Sequence, residues 1–280
     1  MANLMAQPGV PAAKRVRAVP PAKRRPGLRG TVRSELTKIR SVRSTWITLA
    51  VFLAGGLGIA IAAAAANRPY AHEASFDPVA VSLAGTDYLG ELVIVVIGAM
   101  AISSEYGTRM IGTSLAAMPR RGVLYAAKAI AVACVILAVA LVTSFASFFA
   151  GQAVLASTHA GASIASPGAL RSVLLTALFV TCCALLAFGV GAVIRYTAGA
   201  VSGLFALVFV VPLVSGLLPE SAQNAVARWL PGNSMLAQIS STKPTGLHFV
   251  FGPYGELAVY AGYAAITVAA GALLFRRRDA

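Results

Sequence analysis

Six apolar blocks, each close to the length of one membrane crossing, constrain this chain more than any other feature. They run Trp46–Ala66, Val81–Ser103, Ala126–Ala150, Ser172–Ile194, Ala198–Leu218 and Leu257–Phe275. A helix rises about 1.5 Å per residue, so about 20 residues cover the roughly 30 Å of bilayer hydrocarbon. In that medium every backbone polar group must be paired within the protein, which leaves only helices and closed barrels. The blocks are continuous rather than alternating, so they are helices. With 58% hydrophobic and 11% charged residues and a mean hydropathy of +0.78, the composition excludes a soluble domain. The expected fold class is all-α, a polytopic membrane protein with six transmembrane helices.

The second block needs a length argument. Its purely apolar part, 92–102, covers only about 16 Å at 1.5 Å per residue. The span must continue upstream, which places Glu91, and with it Asp87, in or near the outer headgroup zone.

Charge sets the expected orientation. An even number of spans puts both termini on one side. That side collects Lys14, Arg15, Arg17, Lys23, Arg24, Arg25, Arg29, Arg33, Lys38, Arg40 and Arg43, then Arg109, Arg120, Arg121, Lys128, Arg195 and Arg276–Arg278. The other side holds only Arg68, Arg171, Arg228 and Lys243. Bases concentrate on cytoplasmic loops, so both termini are expected in the cytoplasm. The net charge of +14 then reflects topology and attraction to anionic lipid, and calls for no nucleic acid. Cys134, Cys182 and Cys183 all fall within spans, and the adjacent pair points to different helix faces, which argues against a disulfide scaffold.

Residues 1–30 are rich in Pro, Ala, Lys and Arg without periodicity, and read as a disordered basic tail. Residues 31–280 read as one transmembrane domain. At its start Val32, Leu36, Ile39, Val42 and Trp46 recur on one stripe while Arg33, Arg40 and Arg43 lie off it. This describes an amphipathic elbow helix in the membrane interface. The external connections 67–80 and 151–170 are short. The third, Pro219–Glu256, is longer and carries Trp229, Pro231 and Tyr254, aromatic and stiff residues suited to the outer interface. Glu91, Trp229 and Pro231 are the candidates for an outer gate. Gly189, Gly191, Gly199 and Gly203 supply small-residue spacing for close helix packing.

Catalytic machinery is missing from the pattern. His72, His159 and His248 lie on the outer side and far apart, and no His/Cys/Asp cluster has metal-ligand spacing. Gly112-Thr113-Ser114 is a bare Gly-x-Ser on the side opposite the histidines. The chain lacks the Gly-x-x-x-x-Gly-Lys-Ser/Thr loop that cradles ATP phosphates. No metal or cofactor is expected to bind it directly.

The connection between the second and third blocks carries the functional expectation. Thr108, Ile111, Leu115 and Met118 lie at helical spacing, Arg109 and Thr113 fall on another face, and Pro119 ends the run before Arg120 and Arg121. Lys128 then opens the third span, and Glu105 is the single acid of this connection. A short helix held rigidly by two spans can dock in a groove of a soluble partner and transmit a rigid-body push.

Glu105-Tyr106-Gly107-Thr108, then Leu115, Pro119-Arg120-Arg121 and Lys128, preceded by the basic elbow, resemble the permease subunit of type-2 ATP-binding-cassette exporters, most closely its actinobacterial branch. Trp229-Leu230-Pro231-Gly232-Asn233 is similar to a stretch of that branch before its last span. The resemblance covers about residues 31–278 and is silent on substrate. It implies a bacterial plasma-membrane permease without its own ATPase activity, paired with a second permease copy in a homo- or heterodimer and with separate ATPase subunits that bind ATP and magnesium. It further implies an ATPase-coupling surface on Glu105, Arg109, Leu115, Met118, Pro119, Arg120, Arg121 and Lys128, and an elbow helix presenting Leu36, Ile39, Arg40 and Arg43. The turn after Tyr106 is more compact than in many relatives. The alternatives are a non-transporting membrane interaction or immunity protein, an ion-coupled secondary carrier, and a membrane-embedded enzyme.

Overall fold

A computed structural model describes residues 27–108, 110–215, 217–219, 222, 229, 239–241 and 251–277. Arg109, Pro231 and most of the basic tail therefore lie outside the described residues. All regular structure among the described residues is helical.

Helix α1, Leu28–Ser41, starts three residues ahead of the expected elbow and stops at Val42, whose extended backbone (φ −88°, ψ 112°) breaks the hydrogen-bond ladder. Helix α2, Arg43–Ala66, follows at once. Helix α3 runs Pro78–Gly107, longer at both ends than the apolar block. Asp77 sets its start: the carboxylate accepts from Val79 N at 2.9 Å and Ala80 N at 3.1 Å, and Pro78 occupies the first turn. A π-turn at Gly90–Ile94 interrupts it.

The early start corrects the depth expected for two acids. Glu91 lies about 20 Å along a helix of about 45 Å, at 1.5 Å per residue, close to its middle. Asp87 and Glu91 are 0% and 2% exposed, so both side chains are turned into the bundle. The apolar-run criterion missed this because Ser82, Thr86, Asp87 and Glu91 interrupt the run while facing inward.

Helix α4, Met110–Ala117, is the short helix expected between the second and third spans. Helix α5, Arg121–Leu155, begins five residues before the apolar block. Its 35 residues reach about 52 Å, so it overhangs a roughly 30 Å hydrocarbon core. Helix α6, Ala169–Ile194, ends at Arg195 in the left-handed region (φ 62°). Helix α7 (Thr197–Phe205), a π-turn (Ala206–Val210) and helix α8 (Val211–Ser215) follow. Helix α9, Pro253–Arg277, closes the bundle. Five of these are long and apolar enough to cross a membrane: α2, α3, α5, α6 and α9. The block expected at 198–218 appears as the shorter apolar helix Thr197–Val210 with its α8 extension.

Helix α6 is the centre of the bundle. Of its most apolar window 72% is buried, against 17% for α9. Phe179, Phe188, Leu186 and Ala184 of α6 form the main core with Ile94, Ile102, Ile136 and Tyr260. Glycine lets backbones touch here: a Cβ on Gly98 would stand 2.3 Å from the Ala184 carbonyl oxygen, and one on Gly189 2.5 Å from the Thr267 carbonyl carbon. Gly191 likewise meets Ala99, whereas Gly203 has nothing within 4 Å among the described residues. The small-residue expectation is met on α6 and not at Gly203.

Candidate coupling site

The residues of the 105–128 connection divide into an inner and an outer set. Ile111 and Met118 are buried in the main core and Leu115 packs against it. Met110, Gly112, Thr113, Ala116, Pro119 and Arg120 are exposed, and Arg121 is half-buried. Helix α4 is thus pinned by one apolar face and shows the other. The turn chemistry is local: Thr108 Oγ1 donates to Ser104 O at 2.8 Å, and Pro119 forbids helical continuation.

Glu105 and Lys128 are not surface groups. The early start of α5 places Lys128 two turns inside the helix, where it is 2% exposed, and Glu105 is 5% exposed on α3. Lys128 Nζ donates to Glu105 Oε1 at 2.6 Å and to Glu35 Oε2 of α1 at 2.8 Å. Lys38 of α1 also donates to Glu105 Oε1. Two bases and two acids thus neutralise one another where α1, α3 and α5 meet. Ser114 Oγ of α4 lies 3.5 Å from Glu105 Oε2, at the outer edge of a hydrogen bond. Taking a lysine out of water costs several kcal/mol, offset only when the geometry is good and the partners are complete. Burial alone would lower the Lys38 pKa, but the Glu105 and Glu35 carboxylates outweigh it and hold it above its usual range.

Sequence reasoning missed Glu35 and Lys38. Both lie off the Val32–Leu36–Ile39 stripe, and the structure turns Thr31 and Glu35 inward while leaving Leu36 and Ile39 half-buried. The available signal was a lone glutamate three residues before a lysine in an otherwise arginine-rich helix. Arg40 and Arg43 are exposed, and the Arg40 carbonyl accepts from Trp46 Nε1 at 2.8 Å, tying α1 to α2 across Val42.

A cavity of about 410 Å³ opens beside the network. Its lining includes Glu35, Lys38, Glu105 and Lys128 together with the apolar Met100 and Val132. Arg195 lies over the Tyr106 ring at 4.8 Å, and the Arg276 guanidinium packs against Gly122. Bases from four separate segments therefore share one end of the bundle. At the other end Trp229 is exposed, meets Phe251 edge-to-face at 5.2 Å, and accepts from the Tyr263 hydroxyl through its carbonyl. Glu91 is instead buried against Tyr260 of α9, whose hydroxyl donates to Oε1 at 3.0 Å. The two gate candidates thus occupy different environments.

The sequence matches the family model for ABC-2 family transporter protein over residues 31–214, from the fourth residue of α1 to the last but one of α8. The chain belongs to this family. A comparison with curated proteins finds no significant match. As an ABC-2 family member the chain is a membrane component of an ABC transporter, and the family's matched region contains the whole α1–α3–α5 charge network.

Proposed function

We propose that this chain is the permease subunit of an ABC exporter in a bacterial plasma membrane, driven by ATP hydrolysis on a separate subunit. The carrying observation is the Lys128 network, which fastens α1 to the ends of two spanning helices beside Ser114 of α4. A force applied to α1 or α4 from outside the bundle is passed to α3 and α5 as a unit, because separating these elements strands a buried charge. In this reading α1 is the elbow helix and α4 the coupling helix. The ATPase partner binds ATP and magnesium, and two permease copies frame the substrate path.

Six crossings with both termini in the cytoplasm fit this role. Contacts pair Phe179 with Tyr260, Gly189 with Thr267 and Ala192 with Gly271, so α6 and α9 run parallel. The chain between them must return across the bundle, and residues 197–215 supply the apolar helix for that return. The basic end then faces the cytoplasm, where anionic lipid meets α1.

The test is co-purification with the ATP-binding subunit after charge is placed on the exposed face of α4 and its following turn, as Thr113→Glu with Arg120→Glu. The expected result is loss of the ATPase with membrane insertion and melting temperature retained. Full recovery of the complex would overturn the docking role.

A further inference from the structure

The middle of α3 holds two carboxylates that the coupling mechanism does not use. Asp87 is fully buried and neither of its oxygens has a hydrogen-bond partner among the described residues; Glu91 is 2% exposed and its Oε2 has none there either. Among the described residues no basic side chain reaches either one. The described titratable groups facing them are the Tyr260 hydroxyl of α9, which donates to Glu91 Oε1, and the Cys183 thiol of α6 with Cys182 beside it. Helix α2 brings no titratable group to this depth, α5 brings the hydroxyl of Ser147 through Thr86, and residues 197–215 bring none.

Glu91 also borders a cavity of about 30 Å³, enough to admit water, walled by Leu92, Val95, Val201, Leu204 and Val208. The cavity lies between two π-turns, Gly90–Ile94 of α3 and Ala206–Val210. Such turns widen a helix by one residue and recur at functional positions.

We propose that Asp87 and Glu91 form an intramembrane site for one small monovalent cation, a proton or an alkali ion, held beside the cavity between these two π-turns. The physical argument is one of charge. A bare carboxylate in an apolar interior costs far more than its hydrogen bonds return, and it is neutralised by binding a proton or a cation. Two such groups one helical turn apart add mutual repulsion, so one cation relieves both costs at once. Hard oxygen donors and a water-sized space suit a proton or a small alkali ion and exclude a bulky organic cation. The site does not depend on an ATPase partner, so its failure and the failure of the exporter reading are separate results.

The experiment is infrared spectroscopy of the full chain in lipid nanodiscs at neutral pH, in sodium chloride and in choline chloride of equal ionic strength. Asp87→Asn and Glu91→Gln assign the bands. A protonated-acid carbonyl band that is lost in one of these variants, and that shifts in Tyr260→Phe, identifies a proton as the occupant. A carboxylate band that shifts between sodium and choline, and loses that shift in the variants, identifies an alkali ion. Should the amide variants fail to fold, the Tyr260→Phe band shift or the wild-type sodium difference decides alone. Carboxylate bands indifferent to sodium, with no acid band in the wild type, would overturn the proposal.

Discussion

Lys128 of α5 lies 2.6 Å from Glu105 of α3, and both side chains are almost fully withdrawn from water. The pair is completed by Glu35 at 2.8 Å. Removing the lysine leaves two carboxylates facing each other with only Lys38 between them. Lys128→Met is therefore expected to destabilise the protein by about 3–5 kcal/mol, the cost of breaking a buried pair from one side. Adding Glu105→Gln and Glu35→Gln to that background should recover part of the loss, since the one charge then left without its partner, Lys38, is 34% exposed and reaches water. Melting temperatures of the single and triple variants in detergent check this; a triple variant less stable than the single would contradict it.

How far such a network could be read in advance depended on the kind of signal. The six apolar blocks announced the helices, because twenty consecutive greasy residues admit few alternatives, and five of the six appear as helices long enough to span. Pro119 and the Ile111–Leu115–Met118 spacing announced the helix α4, but Leu115 and Met118 read as coupling surface and the structure turns them into the core. Asp87, Glu91 and Lys128 read as edge residues, since charge within an apolar run normally marks its end. Each is instead buried by contacts made across the bundle, and a pairing such as Lys128 with Glu35, 93 positions apart, leaves no local trace. The inward turn of Glu35 was hidden because the apolar stripe beside it gave a complete account of α1 on its own.

Helix packing gives a sharp contrast between two glycines. Gly98 meets the Ala184 backbone, which cannot move aside cheaply, while Gly203 faces open space. Gly98→Ala should cost about 1–3 kcal/mol through overpacking. Gly203→Ala should be neutral or stabilise by up to about 1 kcal/mol through helix propensity. Thermal unfolding of the two variants side by side measures the difference, and equal melting temperatures would mean that α3 and α6 do not approach as closely as the structure has them.

Lys38 contributes a pH dependence with a definite sign. Its folded-state pKa is raised above 10.5 by Glu105 and Glu35 against the opposing effect of burial. A base whose pKa is raised on folding contributes stability that is fully present below its unfolded value and lost as pH rises through the folded one. The wild type should thus hold its melting temperature at neutral pH and lose stability above about pH 10.5. Lys38→Met should flatten that alkaline decline relative to wild type. The side chain is 34% exposed, so solvent screening keeps the effect small.

At the opposite end of α3, Asp77 has two duties that one substitution separates. Its Oδ1 accepts from Val79 N and Ala80 N, capping the helix, and from Ser241 Oγ at 3.0 Å; its Oδ2 accepts from Ser241 N at 2.7 Å. Asp77→Ala removes the cap, worth about 0.5–2 kcal/mol, and with it the tether between α3 and the connection that precedes α9. Ser240 would stay in place, because its carbonyl accepts from Arg171 Nη2 at 2.9 Å and Ser172 Oγ at 3.0 Å, both on α6. Asp77→Asn keeps an acceptor oxygen for the cap and loses the charge that strengthens the bond from Ser241. Hydrogen exchange should therefore show faster exchange at Val79, Ala80 and Ser241 in Asp77→Ala. In Asp77→Asn the largest change should be at Ser241, since the neutral amide still satisfies the first turn. Equal protection of Ser241 in the wild type and both variants would mean that α6 alone holds this connection, and that Asp77 acts on its own helix only.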